Sequence, residues 1–405
     1  MRAAILATVV LLLALAGCNT TETRLPGYHG DPQVPGSVVR VEAVGSYPAP
    51  VLRMLLWYAK PPTAITVPEA VSLYRVTYWS RTNGAPILVS GLMAVPNARI
   101  VRGTVLWMHA TNIGRNQSVS NPSLQEGIFL SAVFAGGDYL YLAPDLVGLG
   151  VSKATQAYFY NPTTIDVALD FLRAAQTVVR DLHRDWNPNL YVAGFSEGGH
   201  DAVVIARELE RLKPPHWQVK ATAGIEGAYN LADITVPLAM TGAAPEQDST
   251  YLTNFALAYS TYYGRPLESL LTPVSADRAR RLFDGEHPKQ IIGHMPLNPR
   301  ELFTPEFLAD FDQHRPNWFM DALRANEGYR WAPVAPFRAY YGDKDVDVSP
   351  ADAKFAVQQA RQLGGHAEAI PLGPYDHFGS VLHAVPKVRQ WFDDLSAKPN
   401  ATPSA

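Results

Sequence analysis

Leu190-Tyr191-Val192-Ala193-Gly194-Phe195-Ser196-Glu197-Gly198-Gly199 reads as a buried strand that runs into a tight turn. Four apolar residues lead into a G-x-S-x-G pentapeptide. Beyond it Ala202, Ile205, Leu209 and Leu212 recur at the spacing that places apolar side chains on one face of a helix. A serine set between strand and helix in this way occupies a strained turn at the strand's carboxyl end. The glycines two before and two after it answer to crowding, because the backbone there passes too close to its neighbours for a side chain. Ser196 is therefore the candidate nucleophile.

Further short, nearly continuous apolar runs lie at 104–108, 139–143, 219–225, 337–341 and 367–372, with helix patterns such as Ile165, Leu169, Leu172 and Val179 between them. Strands buried on both faces and alternating with amphipathic helices predict a mostly parallel sheet flanked by helices, an α/β fold. Upstream, Leu73 to Ser80 alternates with Tyr74, Val76 and Tyr78 on one face; Asn83-Gly84 and a second run from Ile87 to Val95 follow, which predicts an antiparallel hairpin. Residues 38–229 and 334–396 thus form two parts of one core. Between them, 230–333 shows helical stretches and proline-marked turns but no convincing core strand. A structureless loop of ~100 residues is implausible in a compact domain, so this interval is expected to be a large helical lid over the carboxyl edge of the sheet. Within it Tyr251, Phe255, Tyr259 and Tyr262 or Tyr263 recur at helical spacing, either packing the lid onto the body or lining an apolar pocket.

A serine hydroxyl needs a base within hydrogen-bond reach and a third group to orient that base. Gly373-Pro374-Tyr375-Asp376-His377 follows the last strand run and precedes a helix, which puts His377 at the same sheet edge as Ser196. Of eleven histidines it alone has this placement downstream of the acid. For the acid, Asp343, Asp345 and Asp347 all lie in the turn after the 337–341 strand, and Glu226 follows another strand. Asp343 and Asp347 read more simply as solvated turn or helix-cap carboxylates. An oxyanion hole requires backbone N–H donors, one of them from Glu197, the residue after the nucleophile.

Gly342-Asp343-Lys344-Asp345-Val346-Asp347-Val348 resembles the G-x-x-D-x-x-V pattern of the α/β-hydrolase superfamily, and Pro144-Asp145-Leu146-Val147-Gly148-Leu149-Gly150-Val151-Ser152 resembles its PD-x-x-G-x-G-x-S segment. The resemblance runs from about Leu73 to Leu395. It implies that Asp345 is the acid, and that Asp145 and Ser152 fix a loop by hydrogen bonds. Trp107-Met108-His109-Ala110-Thr111-Asn112 resembles the superfamily's H-G-x segment with Ala110 in place of glycine. That departure leaves the second oxyanion donor between Ala110 and Thr111, with Thr111 favoured and His109 organising the loop. The size and position of the insertion are similar to the secretory-lipase and lipase A group, which implies a lipase or carboxylesterase acting on small-molecule or lipid esters through an acyl-enzyme on Ser196. The alternatives are a serine peptidase of the same fold and a non-catalytic surface binding protein on a retired hydrolase scaffold.

The amino terminus carries a separate message. Met1-Arg2, an apolar run from Ile5 to Leu15 and Leu15-Ala16-Gly17-Cys18 resemble the signal of bacterial lipoproteins. Cys18 is the only cysteine of the 405 residues, so an intramolecular disulfide or thiol cluster is excluded. The resemblance implies a cleaved signal (1–17), lipidation of Cys18, a tether (18–37) and membrane anchoring in the cell envelope; the alternative is secretion. A polar tail (397–405) closes the chain. With 18% charged residues, a net charge of -3 and no Lys/Arg-rich run, nucleic acid is excluded as a partner, and no obligate protein partner is evident. Neither a Gly-rich phosphate loop nor a ligand cluster at metal spacing appears, so no cofactor or metal is expected.

Overall fold

The structure, a computed structural model, describes residues 25–397 except 99, 122–124, 186 and 292. The strands are β1 (Val38–Tyr47), β2 (Val71–Thr82), β3 (Ala85–Pro96), β4 (Gly103–Met108), β5 (Tyr139–Pro144), β6 (Asn189–Phe195), β7 (Gln218–Ile225), β8 (Phe337–Gly342) and β9 (Ala367–Gly373). They form one sheet of order β1-β2-β3-β5-β4-β6-β7-β8-β9. β1, β2 and β3 are antiparallel. The β2–β3 turn places Asn83 at φ 47 and Gly84 at φ 79, as a two-residue hairpin that shares its strands' twist requires. From β4 to β9 the pairing is parallel.

Every residue of β4 and β5 is buried, which is why these segments read as unbroken apolar runs. Their side chains alternate between two cores. Leu106, Met108, Leu140, Leu142, Leu190 and Val192 face one core, which is covered by α3 (Asn161–Asp181), α4 (Glu197–Leu212) and α9 (Pro350–Gln362). Val105, Trp107, Tyr139, Tyr141, Tyr191 and Ala193 face the other, under α1 (Ala49–Ala59), α2 (Gln125–Phe134) and α10 (His377–Ser396). Fully burying each leucine contributes about 1.5–3 kcal/mol.

Between β7 and β8 the described residues contribute no strand to the sheet. They carry α5 (Pro245–Tyr262), α6 (Pro273–Leu282), α7 (Pro305–Asp312) and α8 (Trp318–Ala325). Each of the first three starts on a proline, whose missing N–H costs nothing in a first turn. Thr272 and Thr304 cap α6 and α7 by accepting from Ser275 and Phe307 N–H. These helices bury a third core, in which Leu252, Phe255, Leu271 and Phe319 meet Tyr158 and Phe159 of the body.

The described part of the expected tether, 25–37, is docked on the body. Tyr28 donates its hydroxyl to Asp181 at 3.0 Å, Leu25 and Tyr28 pack on the first core, and Gly36 and Ser37 exchange backbone bonds with Trp79 at 2.8 and 3.0 Å. Its polar, proline-rich composition conceals two anchoring side chains and a short ladder. Cys18 and the signal segment lie outside the described residues.

Candidate active site

β4 has β5 on one side and β6 on the other, so the chain reverses direction across the sheet at this point. Loops leaving the carboxyl ends of β4 and β6 therefore diverge and open a crevice. The register Met108↔Gly194 sets the loop after β4 directly beside the turn after β6.

Ser196 occupies that turn at φ 58, ψ −120, a region costing about 1–3 kcal/mol for a residue with a side chain. Its surroundings hold it there. Its N–H donates to Ile225 carbonyl at 2.8 Å, and its carbonyl accepts from Gly199 at 2.9 Å. A Cβ on Gly194 would meet Gly198 carbonyl oxygen at 2.1 Å, and one on Gly198 would meet Met108 carbonyl oxygen at 2.0 Å. Gly199 is similarly confined, 2.8 Å from Ile225 carbonyl oxygen. The glycine run is the geometric condition for helix α4 to start against β4 and β7.

His377 is the first residue of α10, which Asp376 caps by accepting from Gly379 N–H at 2.7 Å. Its ring packs against Phe195 with centroids 4.8 Å apart. Nδ1 is 2.6 Å from Asp345 Oδ2, and Nε2 is 2.9 Å from Ser196 Oγ. A carboxylate at Nδ1 requires the proton there, which leaves the Nε2 lone pair facing the serine hydroxyl. Asp345, in the loop after β8, is fixed from its other oxygen, which accepts Asp347 and Val348 N–H at 2.9 Å each. Both His377 and Asp345 side chains are essentially dry, so their attraction is weakly screened.

The competing carboxylates fall in different places. Asp343 is exposed. Glu226 is buried against the acid rather than at the histidine. It accepts Gly342 N–H at 2.5 Å, and burial first, then the charge of Asp345, pushes its carboxyl well above the usual range. Both influences favour its protonated form. Asp347, expected as a solvated turn carboxylate, instead lines the cavity that contains Ser196. A carboxylate at the turn between strand and helix reads as solvated until α5 is placed across it.

Glu197 opens α4, so its N–H has no intrahelical acceptor and stands next to Ser196. Thr111 is on the adjoining loop and donates its hydroxyl to Tyr158 at 3.3 Å. His109 ties that loop down, with Nδ1 2.7 Å from Ala110 carbonyl and Nε2 accepting from Leu146 N–H at 3.4 Å. Asp145 accepts from the hydroxyls of Ser90 and Ser120, both at 2.5 Å, and Ser152 accepts Gly148 N–H at 3.1 Å. The Glu197 side chain is buried beside Asp201, one turn along the helix; burial pushes both carboxyls up, and for Asp201 the charge of Glu197 adds to it.

The cavity over Ser196 measures about 30 Å³ and is walled by Tyr158, Phe159, Ala228, Val236, Leu252 and Phe255. The aromatic series of α5 divides. Tyr251 and Phe255 face this cavity, whereas Tyr259 donates to Phe159 carbonyl at 3.1 Å and Tyr262 stacks on Tyr160 at 4.8 Å. Tyr158 and Phe159, which the helix pattern did not single out, are legible only as an aromatic pair preceding α3. Asp345, Asp347 and His377 offer oxygen and nitrogen atoms within 4.8 Å of one another. Both ring nitrogens are engaged, so a cation could bind there only by dismantling the serine–histidine–aspartate contacts.

No family model and no curated protein matches this chain. Among solved structures it is similar to a candidate hydrolase from Legionella pneumophila, at 24% identity, covering 90% of this chain and 100% of that one, with a TM-score of 0.83. It is also similar to the rice cell wall degrading esterase LipA from Xanthomonas oryzae, at 21% identity, 89% and 97% coverage and a TM-score of 0.77. The chain has the α/β-hydrolase fold. Candida antarctica lipase A in its closed state shares this α/β-hydrolase plan at 12% identity, 90% and 84% coverage and a TM-score of 0.64.

Proposed function

We propose that the protein is a serine hydrolase that cleaves carboxylic esters with short acyl groups through an acyl-enzyme on Ser196. The observation that carries this reading is the hydrogen-bonded series Ser196–His377–Asp345, 2.9 and 2.6 Å, built on a strained turn. The solved neighbours named esterase and lipase support it. Ser196 Oγ bonds to the ester carbonyl carbon as its proton passes to His377 Nε2, and the N–H groups of Glu197 and Thr111 stabilise the oxyanion. The C–O bond to the alcohol breaks as His377 returns the proton to the leaving oxygen. Water then attacks the acyl carbon, giving its proton to His377, and the acid departs as Ser196 regains a proton. A cavity of about 30 Å³ has room for one or two waters, which favours acyl groups of a few atoms while the helices over it stay closed. Under the same proposal Cys18 carries the lipid that anchors the enzyme in the cell envelope; radiolabelled palmitate retained by the wild type and lost in Cys18→Ser tests this.

Labelling with a fluorophosphonate probe, read by peptide mass spectrometry, tests the enzymatic reading. Label on Ser196 that is absent in Ser196→Ala is expected. Folded wild-type protein that takes no label refutes it and moves the weight to a binding protein.

A further inference from the structure

Asp347 is out of place in an ester pocket. Its neighbours along the cavity wall are Tyr158, Val236, Tyr251, Leu252 and Phe255, and Ser196 lines the same cavity. Its Oδ1 is buried, and no donor among the described residues reaches it. A buried acceptor left unpaired costs about 1–3 kcal/mol, more when charged. The side chain is not needed for the fold of its turn, because the bond from Asp347 to Asp345 Oδ1 comes from the backbone N–H. Its carboxylate lies within 4.8 Å of a His377 ring nitrogen, and His377 Nε2 is 2.9 Å from Ser196 Oγ. A group bonded next to the carbonyl under attack enters the same small space.

We propose that Asp347 determines specificity, selecting short acyl groups that carry a hydrogen-bond donor, an ammonium or a hydroxyl, on the carbon next to the scissile carbonyl. The inference rests on the proposed ester hydrolysis at Ser196 and names its substrate class. A plain alkyl acyl group entering this cavity covers the free oxygen with CH groups and leaves it without water or donor. An acyl group with an α-donor satisfies it. The surrounding charge favours the donor further. Asp345 and Asp376 face Asp347 from the β8 and α10 loops and Asp248 from α5, with His377 opposing them and the Tyr251 phenol beside them. Asp345 and Asp376 thus add negative charge beside the cavity, whereas burial opposes the charge of Asp248 and of Asp347 itself. Asp347 as a whole is half-buried, but a turn carboxylate in water does not describe Oδ1, which has less than 1 Å² of exposed surface.

The test is a comparison of kcat/KM for ethyl isobutyrate, ethyl lactate and ethyl alaninate, three acyl groups of nearly equal shape, followed by acid release at about pH 7, where an α-amino group is mostly protonated. A hydrogen bond to a charged acceptor is worth about 1.5–3 kcal/mol, so the wild type is expected to favour lactate or alaninate over isobutyrate by about ten- to hundredfold. In Asp347→Val that ratio is expected to fall to about one or invert. Asp347→Asn keeps an acceptor without the charge. Loss of the alaninate preference alone identifies an ammonium as the recognised group; survival of the lactate preference identifies a hydroxyl. Fluorophosphonate labelling of each variant at Ser196 separates misfolding from altered selectivity. A wild type that prefers isobutyrate, or labelled variants with an unchanged ratio, overturns the proposal about Asp347 and leaves ester hydrolysis intact. Absence of labelling in the wild type overturns the hydrolase reading instead.

Discussion

Gly198→Ala separates the contribution of packing at the turn from that of the three polar side chains, none of which it touches. The new Cβ would lie 2.0 Å from Met108 carbonyl oxygen and 2.6 Å from that of His109. Ordinary contact begins near 3.4 Å, so α4 must retreat from β4 by about 1.4 Å. Both obstacles are backbone groups at the end of a fully buried strand, and a close-packed interior does not yield as a flexible side chain would. Overpacking of this kind costs about 1–3 kcal/mol. Because Ser196 moves with α4, and a 1 Å misplacement of a reacting group costs about 10²-fold, the fluorophosphonate labelling rate is expected to fall by about two orders of magnitude, with Tm a few degrees lower. Gly84→Ala is the control. Nothing lies within 4 Å of its Cβ position, but φ is +79, so the change costs about 1–2 kcal/mol in backbone conformation and leaves labelling unchanged. A Gly198→Ala enzyme labelled at the wild-type rate would refute the crowding argument, and equal loss in both variants would attribute the effect to general destabilisation.

Two further expectations concern buried carboxyls. Glu226 keeps its proton through neutral pH, and losing it places a second negative charge against Asp345. kcat is therefore expected to decline on the alkaline side. Glu226→Gln, which can accept from Gly342 N–H and donate to Asp345, is expected to abolish that decline while retaining neutral activity; a pH profile with the same alkaline limb in both proteins would exclude the role. Glu197 and Asp201 also have folded values raised above their unfolded ones. Between the ordinary carboxylate range and the raised folded values, the unfolded chain holds fewer protons than the folded one, so stability falls as pH rises. Asp201→Asn is expected to narrow the difference in Tm between about pH 6 and about pH 9, and an unchanged difference by calorimetry would count against the pair.

What the sequence disclosed tracks how local the cause is. Burial on both faces leaves unbroken apolar runs, so β4, β5, β6 and most of β7 and β8 could be read segment by segment, and Asn83-Gly84 announces a turn by backbone conformation alone. The crowding around Ser196 is also written locally, because the obstructed positions are glycines at fixed offsets from it. Asp347 could not be read in this way. Its environment comes from Tyr251 and Phe255, nearly a hundred residues earlier, brought across it by α5. The same helix explains the divided aromatic series. One period sets its aromatics on a single face, but that face meets the cavity near its amino end and solid packing from Tyr160 and Phe319 further along. The docking of 25–37 escaped for a related reason, since two anchoring side chains are enough to hold a segment whose composition is otherwise that of a linker.

Four buried or half-buried carboxyls share a physical oddity and a location. Burial opposes the charged form of Glu197, Asp201, Glu226 and Asp347 alike. A core shaped by stability alone would replace such groups with apolar ones of equal volume, at no loss. Here one is the chain neighbour of Ser196, one lies a turn beyond it, one rests on Asp345 and one is two residues past it. Glu226 bears on the position and charge of Asp345, whereas Asp347 lines the cavity beside His377 and meets what enters it. Asp201 has no comparable route to the substrate except through Glu197. It follows that Asp201→Asn and Glu226→Gln, chemically the same exchange of a buried acid for its amide, should differ in kind, the first altering stability against pH and the second altering turnover against pH.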